Sequence, residues 1–334
     1  MGVRMLKAGM LTTVQDLGRT GYQNQGIGTS GVMDVRACKI ANLLLDNAEN
    51  EAVIEFTLIG PTMEFTSDTI IAITGGDFEP KINGETAQMY KAIYMSRGDI
   101  LSFGSAKTGS RGYIAFSSYL NIPVVMGSRS TNMKSMIGGF HGRKLQNGDL
   151  LYFRIRRRYL PYFLSRTLEM PVIEDKPVDI RVVMGPQEDA FTKAGRETFL
   201  SGEYVVSSEF DRMGCRLEGP YIAVRKTSDI ISEGIAFGSI QVPSHGKPIV
   251  LLSDRQTTGG YAKIATIASV DIPKLVQRKV DSKVRFHAIT VQEAQQLMQD
   301  EVKELDGFRQ AIHTPCKEVL ESRLVAKRLK KLFR

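Results

Sequence analysis

The stretch AVIEFTLIGPTMEFTSDTIIAIT, residues 52–74, decides the fold class of this chain. Residues 52–59 and 69–74 are rich in β-branched and aromatic side chains, which fit the pleated, half-buried surface of a strand. Gly60-Pro61 and Ser67-Asp68 interrupt this pattern with residues that favour turns. We therefore predict two short strands joined by a turn-rich connection.

Short predicted strands continue on both sides of this stretch. In the first half of the chain they fall at residues 90–95, 99–103 and 112–117, and in the second half at residues 179–184, 221–225, 235–242, 248–253 and 283–288. Asn83-Gly84 indicates a hairpin, because a type I′ turn needs positive φ at both central residues. The chain is therefore expected to be mostly β.

A few segments have helical character instead. Residues 33–45 place apolar side chains three and four positions apart, and residues 192–199 predict a second short helix. Thr290 and Glu293 fit a capping box, in which each residue satisfies a free backbone N–H of the other. Another helix is predicted from Thr314-Pro315 to the C-terminus. A helical brace against the last lobe is the favoured interpretation, and a partner-binding or membrane-surface helix is the alternative.

A faint internal repeat divides the chain into two related lobes. Gly60-Pro61 precedes Ser67-Asp68-Thr69-Ile70-Ile71, and Gly219-Pro220 precedes Ser228-Asp229-Ile230-Ile231 in the same way. Many short strands in two matching halves favour two barrel-like β lobes. The predicted domains are residues 1–160 (an N-terminal β lobe with one helix), 161–177 (a linker or crossover with three prolines), 178–290 (a C-terminal β lobe) and 291–334 (C-terminal helices).

The composition excludes several classes of protein. Of the 334 residues, 42% are hydrophobic and 24% are charged, a balance that argues against overall disorder. No apolar run approaches the roughly 20 residues that a membrane helix needs, and we expect no signal peptide. Cys38, Cys215 and Cys316 stand far apart, which argues against a disulfide framework or a zinc site. A cytoplasmic protein without a membrane segment is the simplest expectation.

The net charge of +8 raises the possibility of nucleic-acid binding. Much of the excess lies in the arginine run from Arg154 to Arg158 and in residues 323–334. No helix-turn-helix, zinc-finger or RNP-type aromatic motif accompanies these runs, so a solvated charged face is favoured over nucleic-acid binding. Residues 323–334 are expected to be dispensable for catalysis.

Four common catalytic or nucleotide-binding motifs are absent from the sequence. They are the phosphate loop, the Rossmann glycine fingerprint, the H-E-x-x-H zinc motif and the G-x-S-x-G nucleophile elbow. The four histidines are scattered without the spacing of metal ligands. We therefore predict no metal-ligating residues.

The densest polar cluster is SDRQTTGGY, residues 253–261, directly after a predicted apolar strand. Arg255 offers a planar donor fork that suits a carboxylate or a phosphate. Gln256 can both donate and accept hydrogen bonds, as an amide or ureido group requires, and Gly259-Gly260 lets the backbone approach a ligand. The alternative is a structural turn in which Asp254 and Arg255 pair with each other.

Other stretches mix polar and glycine residues in a similar way. Residues 231–243 contain Glu233 and Gln241, and residues 209–214 contain Arg212 beside a glycine turn. Each of these stretches is weak support for a site when it is taken alone.

Six blocks of sequence, in order along the chain, are specific enough to indicate a family. They are TTVQDLGR (12–19), SGVMD (30–34), GPQED (185–189), DRMGCRLEG (211–219), ISEGIAFGSIQVP (231–243) and LLSDRQTTGGYAKIAT (251–266). Together they resemble the biotin-dependent carboxyltransferase-like family, over about residues 5–290. That family includes the second subunit of allophanate-hydrolase-type proteins, the carboxyltransferase region of urea amidolyase, and the C subunit of 5-oxoprolinase.

The resemblance implies a fold of two cyclophilin-like β-barrel lobes. It also implies a subunit of an ATP-dependent 5-oxoprolinase, which opens 5-oxo-L-proline to L-glutamate with ATP and Mg²⁺. The implied partners are the other two 5-oxoprolinase components, a smaller, kinase-inhibitor-like B subunit and an A subunit. The activity is therefore expected only in the complex.

This chemistry specifies the groups that a site needs. A lactam is resonance-stabilised, and phosphorylation of its oxygen would create a leaving group, so cations and backbone N–H groups are needed at phosphate oxygens and a fork at the substrate carboxylate. We predict a catalytic set of Asp254, Arg255 and Glu233, in which a carboxylate orients a metal-bound nucleotide or a water. The predicted substrate- or nucleotide-binding residues are Arg212, Gln241, Gln256, Thr257, Thr258, Gly259 and Gly260.

Two alternatives stay open. The first is a biotin-dependent carboxyltransferase that acts on a urea-like or small amide substrate, with Gln241 and Gln256 contacting the ureido ring of biotin. The second is a non-catalytic regulator that binds a sporulation-kinase inhibitor.

Overall fold

Residues 1–315, which the computed structural model describes, form a mostly β fold with twenty strands and four α-helices. The mostly β class with few helices is thereby confirmed. The predicted helix beyond Pro315 and the basic residues 323–334 lie outside the described residues. Among residues 1–315, no helix combines the length and the hydropathy that a membrane span requires.

Eleven strands of the first half form two antiparallel sheets. The strands are β1 (Gly2–Lys7), β2 (Leu11–Gln15), β3 (Val53–Thr57), β4 (Thr62–Phe65), β5 (Thr69–Asp77), β6 (Lys81–Ile82), β7 (Glu85–Thr86), β8 (Ala92–Met95), β9 (Ile100–Ser102), β10 (Thr108–Phe116) and β11 (Leu150–Tyr152). One sheet has the order β11-β1-β4-β9-β6-β7 and the other the order β2-β3-β10-β5-β8. Met5 and Phe65 of the first sheet share one apolar core with Phe56 and Ile114 of the second.

Helices cover the other face of the five-stranded sheet. The helix α1 (Val35–Leu44) packs there with Leu305 and Ile312 of α4 (Val291–Ile312). Asp34 caps α1, because its side chain accepts a hydrogen bond from the Ala37 N–H at 2.9 Å. At the start of α4, the predicted capping box of Thr290 and Glu293 is confirmed.

The second half contains a closed seven-stranded barrel and a separate two-stranded ribbon. Its elements are β12 (Val178–Met184), α2 (Lys193–Ser201), β13 (Glu203–Phe210), β14 (Gly214–Glu218), β15 (Asp229–Gly234), β16 (Ser239–Gln241), β17 (Ile249–Leu251), β18 (Thr258–Tyr261), β19 (Lys263–Ile267), α3 (Ile272–Val276) and β20 (Lys283–Ala288). The barrel order is β12-β19-β16-β17-β14-β13-β20, closed by the parallel pair β12–β20. The strands β15 and β18 pair only with each other, and we call them the ribbon.

Alternation along the barrel strands separates an apolar interior from a more polar outer face. Ile180 and Val182 of β12 are fully buried in the barrel core, as are Val250 of β17 and Ile264 of β19. We call the two sheets with α1 the first lobe, and the barrel with α2, α3 and the ribbon the second lobe. Residues 161–177 contain no α-helix or strand.

The observed strands differ from the predicted ones in three places. Of the strand predicted at residues 235–242, only Ser239–Gln241 is present, because residues 235–238 form a loop and a turn. Residues 221–225 form no strand, because Val224 makes only an isolated bridge to Phe191 and no neighbouring strand continues the pairing. The hairpin of β13 and β14 is not among the predicted elements, since the polar residues 207–209, of which Ser208 and Glu209 are exposed, hide the alternation in β13. The helices predicted at 33–45 and 192–199 are present as α1 and α2.

Candidate functional site

A short segment of the first lobe docks into the second lobe. We call residues 29–33 the docking segment. The side chain of Met33 is fully buried within the apolar core of the barrel. The Val32 carbonyl accepts a hydrogen bond from Ser253 Oγ at 3.0 Å, and the Gly31 carbonyl accepts one from Arg212 Nη2. The two lobes are therefore joined by both apolar and polar contacts.

Arg212 lies at the centre of this junction. Its guanidinium forms salt bridges with Glu55 of the first lobe and, at 2.9 Å, with Asp254 of the second. All three side chains are at least 90% buried. Burial lowers the pKa of Arg212, but the two carboxylates outweigh this effect and raise the pKa overall. Two predicted site residues, Arg212 and Asp254, are thus held in an interlobe ion-pair network.

Five of the predicted site residues line one cavity of about 550 Å³ on the outer face of the barrel. They are Gln241, Arg255, Gln256, Gly259 and Gly260. The other walls come from the β13–β14 turn, from β17 and from Tyr261. A slightly larger cavity of about 610 Å³ lies between α1, α3 and residues 170–178, and none of the predicted site residues lines it. The 550 Å³ cavity is therefore the candidate site.

Arg255 is the main charged group at the cavity. Its Nε donates to the Ile235 carbonyl at 3.0 Å, and its Nη1 donates to the Leu252 carbonyl and to Thr29 Oγ1, both at 3.2 Å. The guanidinium carbon lies 5.7 Å from the centre of the Phe237 ring. No carboxylate among residues 1–315 forms a salt bridge with Arg255, and burial lowers its pKa. A desolvated cation of this kind favours an anionic ligand.

The alternative of a structural pair between Asp254 and Arg255 is wrong. Asp254 Oδ2 and Oδ1 accept from Nε and Nη2 of Arg212 at 2.9 and 3.2 Å. The carboxylate of Asp254 is therefore paired with Arg212 at the lobe junction, whereas the guanidinium of Arg255 lines the cavity.

Gln241 contributes an amide to the same cavity. Its Nε2 donates to the Tyr261 carbonyl at 3.2 Å, and the residue is 6% exposed. The ribbon lies directly against it, since a Cβ on Gly259 would come within 2.7 Å of Gln241 Nε2 and 2.6 Å of Ile235 Cδ1. Glycine at position 259 therefore allows the ribbon to pack on the amide.

The remaining predicted residues lie outside the cavity lining. Glu233 of the ribbon forms a salt bridge with Lys263 at 3.2 Å and accepts a hydrogen bond from Gln187 at 2.8 Å. The Thr257 carbonyl accepts from the Ile235 N–H at 3.1 Å, and Thr258 pairs with Gly234 within the ribbon. Glu233 therefore does not line the cavity that Arg255 lines, although the sequence predicts a catalytic role for both.

Sequence reasoning missed three residues of this region. Phe210 lines the cavity, and the guanidinium carbon of Arg111 lies 4.6 Å from the centre of its ring. Lys263 is 5% exposed, an unusual degree of burial for a lysine on the outer face of a barrel. Thr29 reaches Arg255 from the first lobe. Phe210 lies in the polar stretch 209–214 and Lys263 in the family block 251–266, whereas nothing in the sequence singles out Thr29.

The charges of the cavity fit one small anion better than a triphosphate. Glu209 pairs with Arg216 at 2.7 Å, and Asp211 accepts from the backbone N–H groups of Met213 and Gly214. Of the two arginines that line the cavity, Arg255 is the one without a carboxylate partner among residues 1–315, so it offers one positive charge, whereas a triphosphate carries several negative charges. Among the described residues, no group of three or more His, Cys, Asp or Glu side chains is placed to hold a metal ion. The groups that line the 550 Å³ cavity therefore suit a small anion better than a Mg²⁺–nucleotide.

Comparisons with known proteins all indicate the same family for this chain. The family described as carboxyltransferase domain, subdomain A and B, matches residues 25–288. The chain is 34% identical over 315 residues to the C subunit of 5-oxoprolinase from Escherichia coli, covering 93% of this chain and 99% of that protein. It is also 34% identical over 300 residues to the C subunit of 5-oxoprolinase from Haemophilus influenzae, covering 90% and 95% of the two chains. It is 32% identical over 314 residues to urea amidolyase of Lachancea kluyveri, covering 88% of this chain but 17% of that protein.

Solved structures agree with this result. The crystal structure of the K. lactis urea amidolyase superposes with a TM-score of 0.85 at 28% identity, covering 92% of this chain and 20% of that one. The Kluyveromyces lactis urea carboxylase superposes with a TM-score of 0.84 at 27% identity, covering 95% and 30%. This chain therefore spans less than a third of either solved chain.

Proposed function

This chain belongs to the family of carboxyltransferase domains with subdomains A and B, and we propose that it is the C subunit of an ATP-dependent 5-oxoprolinase. The reaction proposed is the opening of 5-oxo-L-proline to L-glutamate. One observation carries the proposal: the match to the C subunit of the E. coli 5-oxoprolinase covers nearly the whole of both chains, at 93% and 99%. The urea amidolyase of L. kluyveri, by contrast, is covered to 17% of its length.

The cavity chemistry supports a small carboxylate-bearing amide as the ligand. The guanidinium of Arg255 would bind the substrate carboxylate through charge-assisted hydrogen bonds. The amide groups of Gln241 and Gln256 can both donate and accept, which matches a lactam that offers one N–H and one carbonyl. A volume of about 550 Å³ is within the usual range for small-molecule sites.

ATP would supply the free energy and the leaving group that lactam hydrolysis lacks. Because the cavity charges do not fit a triphosphate, we propose that the nucleotide and Mg²⁺ are bound with the partner proteins, the smaller B subunit and the A subunit. The residues of this chain would then bind and orient the lactam and exclude water from its ring. A cytoplasmic location belongs to the same proposal.

In this proposal, Asp254 and Glu233 have structural roles instead of the catalytic roles that the sequence predicts. Asp254 would act through Arg212, holding the loop that carries Arg255 rather than touching the substrate. Glu233 would hold the ribbon over Gln241 through its salt bridge with Lys263. Arg255 is then the one member of the predicted catalytic set that lines the cavity.

The experiment is reconstitution. The chain is co-purified with its candidate A and B partners, and L-glutamate formation from 5-oxo-L-proline is measured with and without ATP. ATP-dependent glutamate formation by the complex, and little by the chain alone, is the expected result. Full 5-oxoprolinase activity from the isolated chain would refute the need for partners, and a complex with no such activity would refute the reaction.

A biotin-dependent carboxyltransferase is the second candidate, because the fold superposes on urea amidolyase with a TM-score of 0.85. In this candidate function, Gln241 and Gln256 contact the ureido ring of carboxybiotin. A requirement for a carboxybiotin carrier, with carboxylation of urea or a small amide, would identify it. If the chain binds the kinase-inhibitor-like B subunit but no preparation turns over any substrate, the non-catalytic regulator is favoured instead.

A further inference from the structure

We propose that Thr29 of the first lobe is a positioning residue for Arg255, so that the anion site of the second lobe is completed by the first. This inference rests on the proposed function, in which Arg255 binds the substrate carboxylate. It requires that the two lobes be in contact for the guanidinium of Arg255 to be oriented toward the ligand.

The contacts of Arg255 divide by lobe. Its own lobe supplies two backbone carbonyls, those of Ile235 and Leu252, at 3.0 and 3.2 Å. The first lobe supplies the single side-chain acceptor, Thr29 Oγ1, which receives a hydrogen bond from Nη1 at 3.2 Å. Among the described residues, none accepts a hydrogen bond from Nη2 of Arg255. The Thr29 contact is thus the one side-chain hydrogen bond, among the described residues, that helps to orient the guanidinium while Nη2 stays available to a ligand.

The orientation of the Thr29 hydroxyl is itself determined. Thr29 Oγ1 donates to the Ser253 carbonyl at 3.4 Å, which directs its proton away from the arginine and leaves a lone pair for Nη1. One hydroxyl thus bridges the two residues that flank Asp254 in the chain. A serine keeps this bridge, whereas a valine of similar shape removes it.

Removing the hydroxyl should not undock the lobes. The docking segment keeps Met33 in the barrel core, the Val32 carbonyl on Ser253 and the Gly31 carbonyl on Arg212. The salt bridge of Arg212 with Glu55 crosses the same junction independently. The Thr29→Val variant is therefore expected to fold normally and to change only the orientation of the Arg255 side chain.

The test compares Thr29→Val, Thr29→Ser and wild type in the complex with the partner proteins. Steady-state kinetics with 5-oxo-L-proline, calorimetric binding of 5-oxo-L-proline and thermal melting are measured on each preparation. Because the lost contact is one charge-assisted hydrogen bond acting through another residue, Thr29→Val should raise KM and Kd about 3- to 10-fold. We expect kcat to change by less than about twofold and Tm to stay within about 2 °C, and Thr29→Ser to behave like wild type.

Thr74→Val is the matched control. Thr74 is a fully buried threonine whose hydroxyl, like that of the partly buried Thr29, donates to a backbone carbonyl, here that of Ala37 at 2.8 Å, but it lies in β5 of the first lobe and does not line the cavity. The Thr74→Val variant should have a lower Tm and an unchanged KM. An unchanged KM in Thr29→Val, together with impaired binding in Arg255→Lys, overturns the positioning role. If binding is unchanged in both variants, the cavity is not the substrate site and the proposed function loses its support instead.

Discussion

The carboxylate of Asp254 pairs with Arg212, which lies 42 positions earlier in the chain, and not with Arg255, its immediate neighbour. Asp254 therefore belongs to a buried interlobe network with Glu55, while the guanidinium of Arg255 is free of carboxylate partners within residues 1–315. Changes in the network around Arg212 should therefore affect stability, whereas changes at Arg255 should affect ligand binding.

Arg255→Lys should impair function with limited loss of stability. Lysine keeps the charge but cannot reach two carbonyls and the cavity with one planar fork. A bidentate charge-assisted contact is worth about 1.5–3 kcal/mol, so kcat/KM of the complex should fall on the order of 10- to 100-fold. Steady-state kinetics and circular-dichroism melting on one preparation measure both effects.

Arg285→Lys is the control for this change. Arg285 lies on β20, is about half exposed and pairs with Glu203 at the surface, away from the cavity. Its kinetics should match wild type. Wild-type kinetics in a well-folded Arg255→Lys preparation would remove Arg255 from the site.

Arg212→Met should destabilise the chain strongly. It leaves the carboxylates of Glu55 and Asp254, both more than 90% buried, without their shared cation. Breaking a buried ion pair in this way costs about 3–5 kcal/mol. Equilibrium unfolding in urea measures the loss. Arg4→Met, which removes a half-exposed arginine 3.7 Å from Glu64, should change the unfolding free energy by less than about 1 kcal/mol. Equal losses in the two variants would contradict the assignment of Arg212 to a buried network.

Gly259→Ala should weaken ligand binding by displacing Gln241. The new Cβ would lie 2.7 Å from Gln241 Nε2 and 2.6 Å from Ile235 Cδ1, so the amide must move or the ribbon must lift. We expect Kd for 5-oxo-L-proline to rise on the order of 10-fold, measured by calorimetry on the complex. Gly234→Ala, on the paired strand of the same ribbon, has nothing within 4 Å of its Cβ position and should bind normally. Normal binding by Gly259→Ala would separate Gln241 from the ligand.

Stability should fall in acid through Asp271. Burial would raise the pKa of Asp271, but the hydrogen bonds from the Arg181 side chain and backbone and from Lys274 outweigh it and lower the pKa below 3.8. Because the folded-state pKa is depressed, this contribution is full above pH 3.8 and is lost as the pH falls through the lower folded-state value. Asp271→Asn should therefore cost about 2 kcal/mol near pH 7 and progressively less below pH 3.8.

Urea unfolding of wild type and Asp271→Asn across this pH range checks the prediction. Asp179→Asn is the control, since Asp179 is 64% exposed and pairs with His287 at the surface. A difference between wild type and Asp271→Asn that stays constant down to the acid limit would show that the charge of Asp271 does not stabilise the fold.

The sequence by itself determined the mostly β class, the helices α1 and α2, the capping box at Thr290 and the stretch that holds Arg255. These features depend on local patterns: alternation of side chains along strands, helical spacing, and the hydrogen bonds that residues three positions apart make with each other. The family followed from blocks of sequence whose order along the chain is visible without any structure.

Only the tertiary structure decided which polar residues meet. Arg212 and Asp254 look like site residues in the sequence, yet they form a lobe junction because Glu55, 157 positions from Arg212, lies opposite them. Thr29 has no local signature, and its role arises from a contact with a residue 226 positions away. Contacts of this kind depend on how the two lobes pack against each other, and that packing involves whole surfaces, which no spacing of residues along the chain encodes.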